Sequence, residues 1–173
     1  MRKAPLIGLA VALVVFVLDQ LAKLGIARSI GLDEFAEPHR ITGFFNLRFV
    51  ANRGVSLGLF QADGHQGRWL LIALTGAIAL AVAYWMTRER NRIDQGALGL
   101  ILGGALGNIL DRVRLGFVVD YADLHLGAWR PFLVFNLADA GITIGVIVLL
   151  VRALFVREKA PNAGEPVSEN GHA

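Results

Sequence analysis

The sequence predicts an all-α membrane protein: four transmembrane helices, with a small β-rich element and a lip on the outer face. Three observations carry this. Hydrophobic residues make up 55% of the 173-residue chain and charged residues only 18%, where about 25% charged is ordinary for a soluble domain. The apolar residues gather into four long runs, and mean hydropathy is +0.55. The polar residues that interrupt those runs fall at one depth once the chain is threaded through a bilayer. A disordered chain is excluded, and one domain over residues 1–157 is expected.

The first run is uncharged from residue 4 to 18, then carries Asp19, Gln20 and Lys23 before apolar character resumes, giving a span over 4–27. Arg2 and Lys3 could open a signal peptide, but the charged 19–23 segment ends an h-region poorly, so the span is read as uncleaved. Residues 69–86 are 18 uncharged residues with Trp69, Tyr84 and Trp85 at interface positions, the clearest span of the four. The third, 94–112, is glycine-rich. Its Gly99, Gly103 and Gly107 repeat every four residues, which aligns small side chains on one face and predicts a place inside the bundle. The fourth, 133–155, carries Asn136 and Asp139 in its first third. Residues 158–173 are polar with Pro and Gly and read as a disordered cytoplasmic tail.

Orientation follows from charge density, because the Lys and Arg totals on the two sides are equal. Three arginines (Arg88, Arg90, Arg92) crowd the short linker between spans two and three, whereas those of the loop 28–68 are dilute. Short loops obey the positive-inside rule, so both termini are placed in the cytoplasm. Asp19 and Lys23 then lie in the outer half of span one, Asn108, Asp111 and Arg112 at the outer end of span three, and Asn136 and Asp139 at the outer start of span four. Random tolerance of polar residues would not produce such a layer. On that same side, residues 40–60 and 115–135 alternate apolar and polar in parts, which suggests short strands lying on the membrane.

The chain has no cysteine, which removes disulfides, thiol catalysis and Cys-ligated metals. Its net charge is +3, but the cations are scattered around apolar spans; anionic lipid, not nucleic acid, is the expected partner. His39, His65, His125 and His172 show no metal-like spacing, and no metal or other cofactor is expected.

A carboxylate near hydrocarbon costs about 2.5–3.5 kcal/mol even on lenient scales, so such residues are functional candidates. Asp120 and Asp139, 19 residues apart, could form a pair. Two carboxylates brought close cannot both ionise easily, and such a pair can act as base toward water and acid toward a leaving amine. Spacing alone leaves equally open that Asp120 is a loop residue and Asp139 caps a helix. Asn136 shares a helix face with Asp139, and Asn108 with Arg112. They could orient a dyad or hold substrate, or simply join helices and reach headgroups. Asp19 and Lys23, four residues apart, read first as a supporting ion pair, and Asp111 as an ion-pair partner. Asn52-Arg53-Gly54 reads as a turn or a site loop.

These motifs together resemble one family, the lipoprotein signal peptidases (signal peptidase II). The resemblance runs through Asp19-Gln20-x-x-Lys23, Asn52-x-Gly54, Gly104-x-x-Gly107-Asn108-x-x-Asp111-Arg112, Val118-Val119-Asp120-Tyr121-x-Asp123 and Phe135-Asn136-x-Ala138-Asp139. It implies an aspartic endopeptidase of the bacterial cytoplasmic (inner) membrane that removes the signal peptide from a diacylglyceryl-modified prolipoprotein, just before the lipidated cysteine. Asp120 and Asp139 would be the catalytic dyad; Asn52, Gly54, Asn108, Arg112 and Asn136 would bind substrate or orient the dyad; Asp19, Lys23 and Asp111 would support it. The resemblance departs at Leu57, where an aromatic is common. A monomer with its site near the periplasmic face is expected. A proton-coupled transporter would want polar residues through the full depth, and a metal-dependent lipid phosphotransferase would sit near the cytoplasmic face.

Overall fold

Long apolar runs can satisfy their backbone in a bilayer only as helices, and the four runs become helices long and apolar enough to cross one. The computed structural model describes residues 5–34, 36–54, 65–127 and 129–155. The expected tail, Leu57 and the part of the lip beyond Gly54 lie outside these residues. The helices are α1 (Leu6–Ser29), α2 (His65–Arg88), α3 (Arg92–Leu115) and α4 (Leu137–Phe155), with strands β1 (His39–Arg40), β2 (Phe45–Asn52) and β3 (Val118–Leu124) between them.

The central helix is α3, packed against α1, α2 and α4. Over half of its span, 56%, is buried inside the bundle, against 17–22% for the others. Glycine makes this possible. A Cβ on Gly99 or Gly103 would fall within 3.0 Å of the backbone of Gly8 or Ala12 on α1, and one on Gly104 within 3.0 Å of the Ala138 carbonyl on α4. Lipid tails are as apolar as leucine, so helices associate in a membrane by such close backbone packing. Asn91 starts α3, its Oδ1 accepting from the Ile93 N–H at 2.8 Å. Gly116 stops it in the left-handed conformation (φ 88°), which an L side chain adopts at a cost. That sharp stop delivers the chain into β3 two residues later.

The strands form a three-stranded antiparallel sheet in the order β1-β2-β3, with an irregularity in register between Leu47 and Val50. Phe49, Ala51 and Val119 make its small core, with Phe117 edge-on to Phe49. The fourth span starts at Leu137, not near 133. Phe135 instead pairs with Ala122, donating its N–H at 3.1 Å and accepting the Ala122 N–H at 2.8 Å. A strand-like backbone with partners is as acceptable to an apolar sequence as a helix, so composition placed this boundary too early.

Candidate active site

The start of α4 fixes Asp139. Asn136 precedes the helix, and its Oδ1 accepts the Asp139 N–H at 2.9 Å while Asp139 Oδ2 accepts the Asn136 N–H at 3.2 Å. This is a reciprocal capping box with Asn and Asp in the two roles, and a helix N-terminus favours the negative charge it holds. The cap uses one oxygen of Asp139. The other accepts from Asn108 Nδ2 at 2.8 Å. Capping α4 therefore leaves the second oxygen of Asp139 turned toward Asn108.

Asp120 comes from the middle of β3 and is 2% exposed. Its Oδ1 accepts from Asn136 Nδ2 at 2.6 Å and its Oδ2 from Asn52 Nδ2 at 2.9 Å. Register explains the second bond: Val50 lies opposite Asp120, so Asn52, two residues along, is a diagonal neighbour on the same face. Burial, reinforced by the Asp139 carboxylate, pushes the Asp120 carboxyl up to about 7 despite the two amide donors. Its neighbour Tyr121 is pushed up to about 12, chiefly by burial, and stays a neutral phenol.

Three asparagines thus face the two acids, and each has its amide orientation fixed by a second bond. Asn52 Oδ1 accepts the Gly54 N–H at 3.2 Å. Asn136 Oδ1 is taken by the Asp139 N–H. Asn108 Oδ1 accepts from Lys23 Nζ at 3.1 Å and from Asn136 Nδ2 at 3.2 Å. Every amide therefore offers its NH2 to a carboxylate.

A second cluster lies beside the first, between α1 and α3. Lys23 Nζ is 2.8 Å from Asp19 and 2.8 Å from Asp111. The Asp19–Lys23 pair matches the i, i+4 expectation; the partner of Asp111 is Lys23 on another helix, a pairing its neighbour Arg112 gave no hint of. Gln20, which sequence reasoning left without a role, donates to Asp19 at 3.2 Å and to Asp111 at 3.1 Å. Its position beside Asp19 was the available signal. Arg112 is partly buried, feels the charges of Asp139, Asp120 and Asp111, and keeps a buried Nε that has no hydrogen-bond partner among the described residues.

Asp123 stands apart. It is fully buried and binds Arg130 at 3.0 Å, tying the following loop back to β3. His39 is exposed on β1, and His125 keeps a buried Nε2 with no partner among the described residues. Among the described residues no three His, Asp or Glu side chains group in a way that could hold a metal ion.

A model of the family described as Signal peptidase (SPase) II matches residues 11–155. A lipoprotein signal peptidase of Sphingopyxis alaskensis is 53% identical over 156 residues, covering 90% of each chain. One from Rhizorhabdus wittichii is 53% identical over 152 residues, 88% of each. A solved structure described as a bacterial membrane enzyme, obtained by the in meso method at 1.9 Å resolution, superposes with a TM-score of 0.74 at 29% identity, covering 87% of this chain and 94% of its own. With four membrane-crossing helices, a polar cluster at one end of them and a family match over most of its length, the chain belongs to the signal peptidase II family of membrane peptidases.

Proposed function

We propose that this protein is an aspartic endopeptidase that removes the signal peptide from diacylglyceryl-modified prolipoproteins, cutting just before the lipidated cysteine, with Asp120 and Asp139 as its catalytic pair. The observation that carries the reading is the convergence of two carboxylates from separate elements, β3 and the start of α4, on one set of amide donors, with the Asp120 carboxyl pushed up to about 7. At neutral pH such a pair holds one proton between two acids. The ionised member takes a proton from water, and the hydroxide adds to the scissile carbonyl. The protonated member passes its proton to the departing amine, which leaves as the free N-terminus of the lipidated cysteine. The pair returns to its single-proton state, so no metal or other cofactor enters.

The surrounding residues fit supporting roles. Arg112, whose Nε has no partner among the described residues, can donate to the carbonyl oxygen as charge develops on it. Asn52, Asn108 and Asn136 hold the carboxylates, and Gly54 fixes the Asn52 amide. With both termini in the cytoplasm, the site lies near the periplasmic face of the inner membrane. A lipid-anchored substrate entering sideways brings its scissile bond to that depth, and the segment from Arg40 onward would cover the bound peptide as a lip. The enzyme acts as a monomer among membrane lipids.

The test is cleavage of a diacylglyceryl-modified prolipoprotein by purified protein in detergent with EDTA, wild type beside Asp120→Asn and Asp139→Asn. Wild-type cleavage lost in both folded variants is the expected result. Retained turnover in either variant, or a wild type that works only after a divalent metal is restored, overturns the reading.

A further inference from the structure

Asp19, Lys23 and Asp111 are as buried as Asp120, at 0%, 4% and 3% exposed, while Gln20 beside them is half-buried, like Asp139. Burying three charges is expensive, and replacing such groups by apolar ones commonly stabilises a protein, so fold stability alone is a weak reason for them. Their bonds show a pattern. Asp19 Oδ1 accepts the backbone N–H of Ala138 at 3.0 Å, and Asp111 Oδ2 accepts that of Val119 at 3.2 Å. Each carboxylate therefore clamps the residue immediately before one of the two acids, Ala138 before Asp139 and Val119 before Asp120.

We infer that Lys23 is the positioning residue of this pair: its ammonium joins the two clamps and turns the Asn108 amide so that the NH2 faces Asp139. The inference rests on the dyad reading of Asp120 and Asp139. An ammonium has three donors and no acceptor. Here three acceptors surround it, Asp19 and Asp111 at 2.8 Å each and Asn108 Oδ1 at 3.1 Å. Pairing with the two carboxylates uses only the first two. The third reaches toward the acids, because Asn108 Nδ2 donates onward to Asp139 at 2.8 Å. Without Lys23, the Asn108 oxygen keeps one partner, Asn136 at 3.2 Å, and a flipped amide would set an oxygen against the Asp139 carboxylate. Gln20 bridges Asp19 and Asp111 as a neutral strut, which holds the two clamps together without a second cation.

The test is a double-mutant cycle on kcat and KM for a diacylglyceryl-modified prolipoprotein, using the full chain in detergent: wild type, Lys23→Met, Asn108→Ala and the double variant, with Asp120→Asn alongside. If Lys23 acts through Asn108, each single variant lowers kcat about 30-fold with KM nearly unchanged, and the double falls no more than about threefold below the worse single. A merely structural lysine gives losses that multiply to about 1000-fold in the double, which overturns the inference, as does wild-type kcat in Lys23→Met. Should Lys23→Met fail to fold, Lys23→Met with Asp111→Asn keeps both the net charge of the cluster and an oxygen for the Val119 N–H, and serves in the same cycle. Turnover surviving in Asp120→Asn would instead sink the dyad reading, a result none of the other variants can mimic.

Discussion

At one end of the bundle, Asp94 near the start of α3 meets Arg152 near the end of α4, one anion against one cation, with side chains 17% and 20% exposed. At the other end, Asp19, Asp111, Asp120 and Asp139 converge with Lys23 and Arg112 as their cations among the described residues. Both ends join the same two helices, and both bury charge. They differ in balance. A matched pair joins elements and can do little else, whereas an excess of buried carboxylates leaves at least one group whose ionisation is contested. Uncompensated burial of this kind is characteristic of sites that move protons.

The comparison breaks first at single carboxylates. Asp120→Asn keeps size and one of the two hydrogen bonds from Asn52 and Asn136, since its NH2 cannot accept the other, and removes the proposed proton carrier, so turnover should fall about 10³-fold or more. Asp94→Asn, at the opposite end, should leave kcat within about twofold while lowering the unfolding temperature slightly. Prolipoprotein cleavage and thermal unfolding in detergent measure both. Equal activity losses at the two ends would show that the polar end has no special chemistry.

A second contrast lies in the glycines between the ends. Gly103 faces the Ala12 backbone of α1, whereas a Cβ on Gly25, on α1 itself, would meet nothing within 4 Å among the described residues beyond its own turn of helix. Gly103→Leu must push α1 from α3 and should cost about 3 kcal/mol or prevent folding; Gly25→Leu should cost nothing measurable, and helix propensity favours it. Yield of folded protein and unfolding midpoint decide between them. Loss of activity in Gly103→Leu would follow from the same displacement, since α1 carries Asp19 and Lys23 to the site.

Ionisation gives the third contrast. The Asp120 carboxyl is pushed up to about 7 from 3.8, so between those values the native state keeps a proton that the unfolded chain has released. The stability this proton contributes is full below about pH 4 and declines as pH rises to about 7. In the proposed mechanism that same proton goes to the leaving amine, so kcat should fall above pH 7, by about tenfold per unit well beyond it. A rate that stays flat from pH 6 to 9 would remove Asp120 from the proton's path.

Much of this was legible from the residues. Four spans, the glycine face of α3 and the gathering of polar groups at one end followed from apolar runs and four-residue spacing. The Asp19–Lys23 pair followed from helical periodicity. Contacts across helices did not, because no local pattern states that Lys23 also meets Asp111, or that Asn108 turns its amide toward Asp139; those depend on how closely Gly99, Gly103 and Gly107 let α1 approach. The boundary at Leu137 was hidden for a different reason: Leu133, Val134 and Phe135 suit lipid and sheet equally, and only Asn136 with Asp139, three residues apart, marks where the helix begins.

The smallest expected effect sharpens what the matched pair at the far end contributes. Arg152 Nε and Nη2 each donate to a different oxygen of Asp94, a two-point contact that a lysine ammonium cannot reproduce. Arg152→Lys keeps the charge and loses the second bond. For a pair this close to the bundle surface the loss should stay below about 1 kcal/mol, visible as a shift of a few degrees in unfolding and as no change in kcat. The analogous exchange at the polar end, Lys23→Arg, keeps charge too but forces a planar fork into a space where three acceptors surround one nitrogen. It should lower kcat more than it lowers the unfolding temperature. If the two exchanges behaved alike, geometry at the polar end would matter no more than charge, and the distinction between the two ends would reduce to the number of ions each one holds.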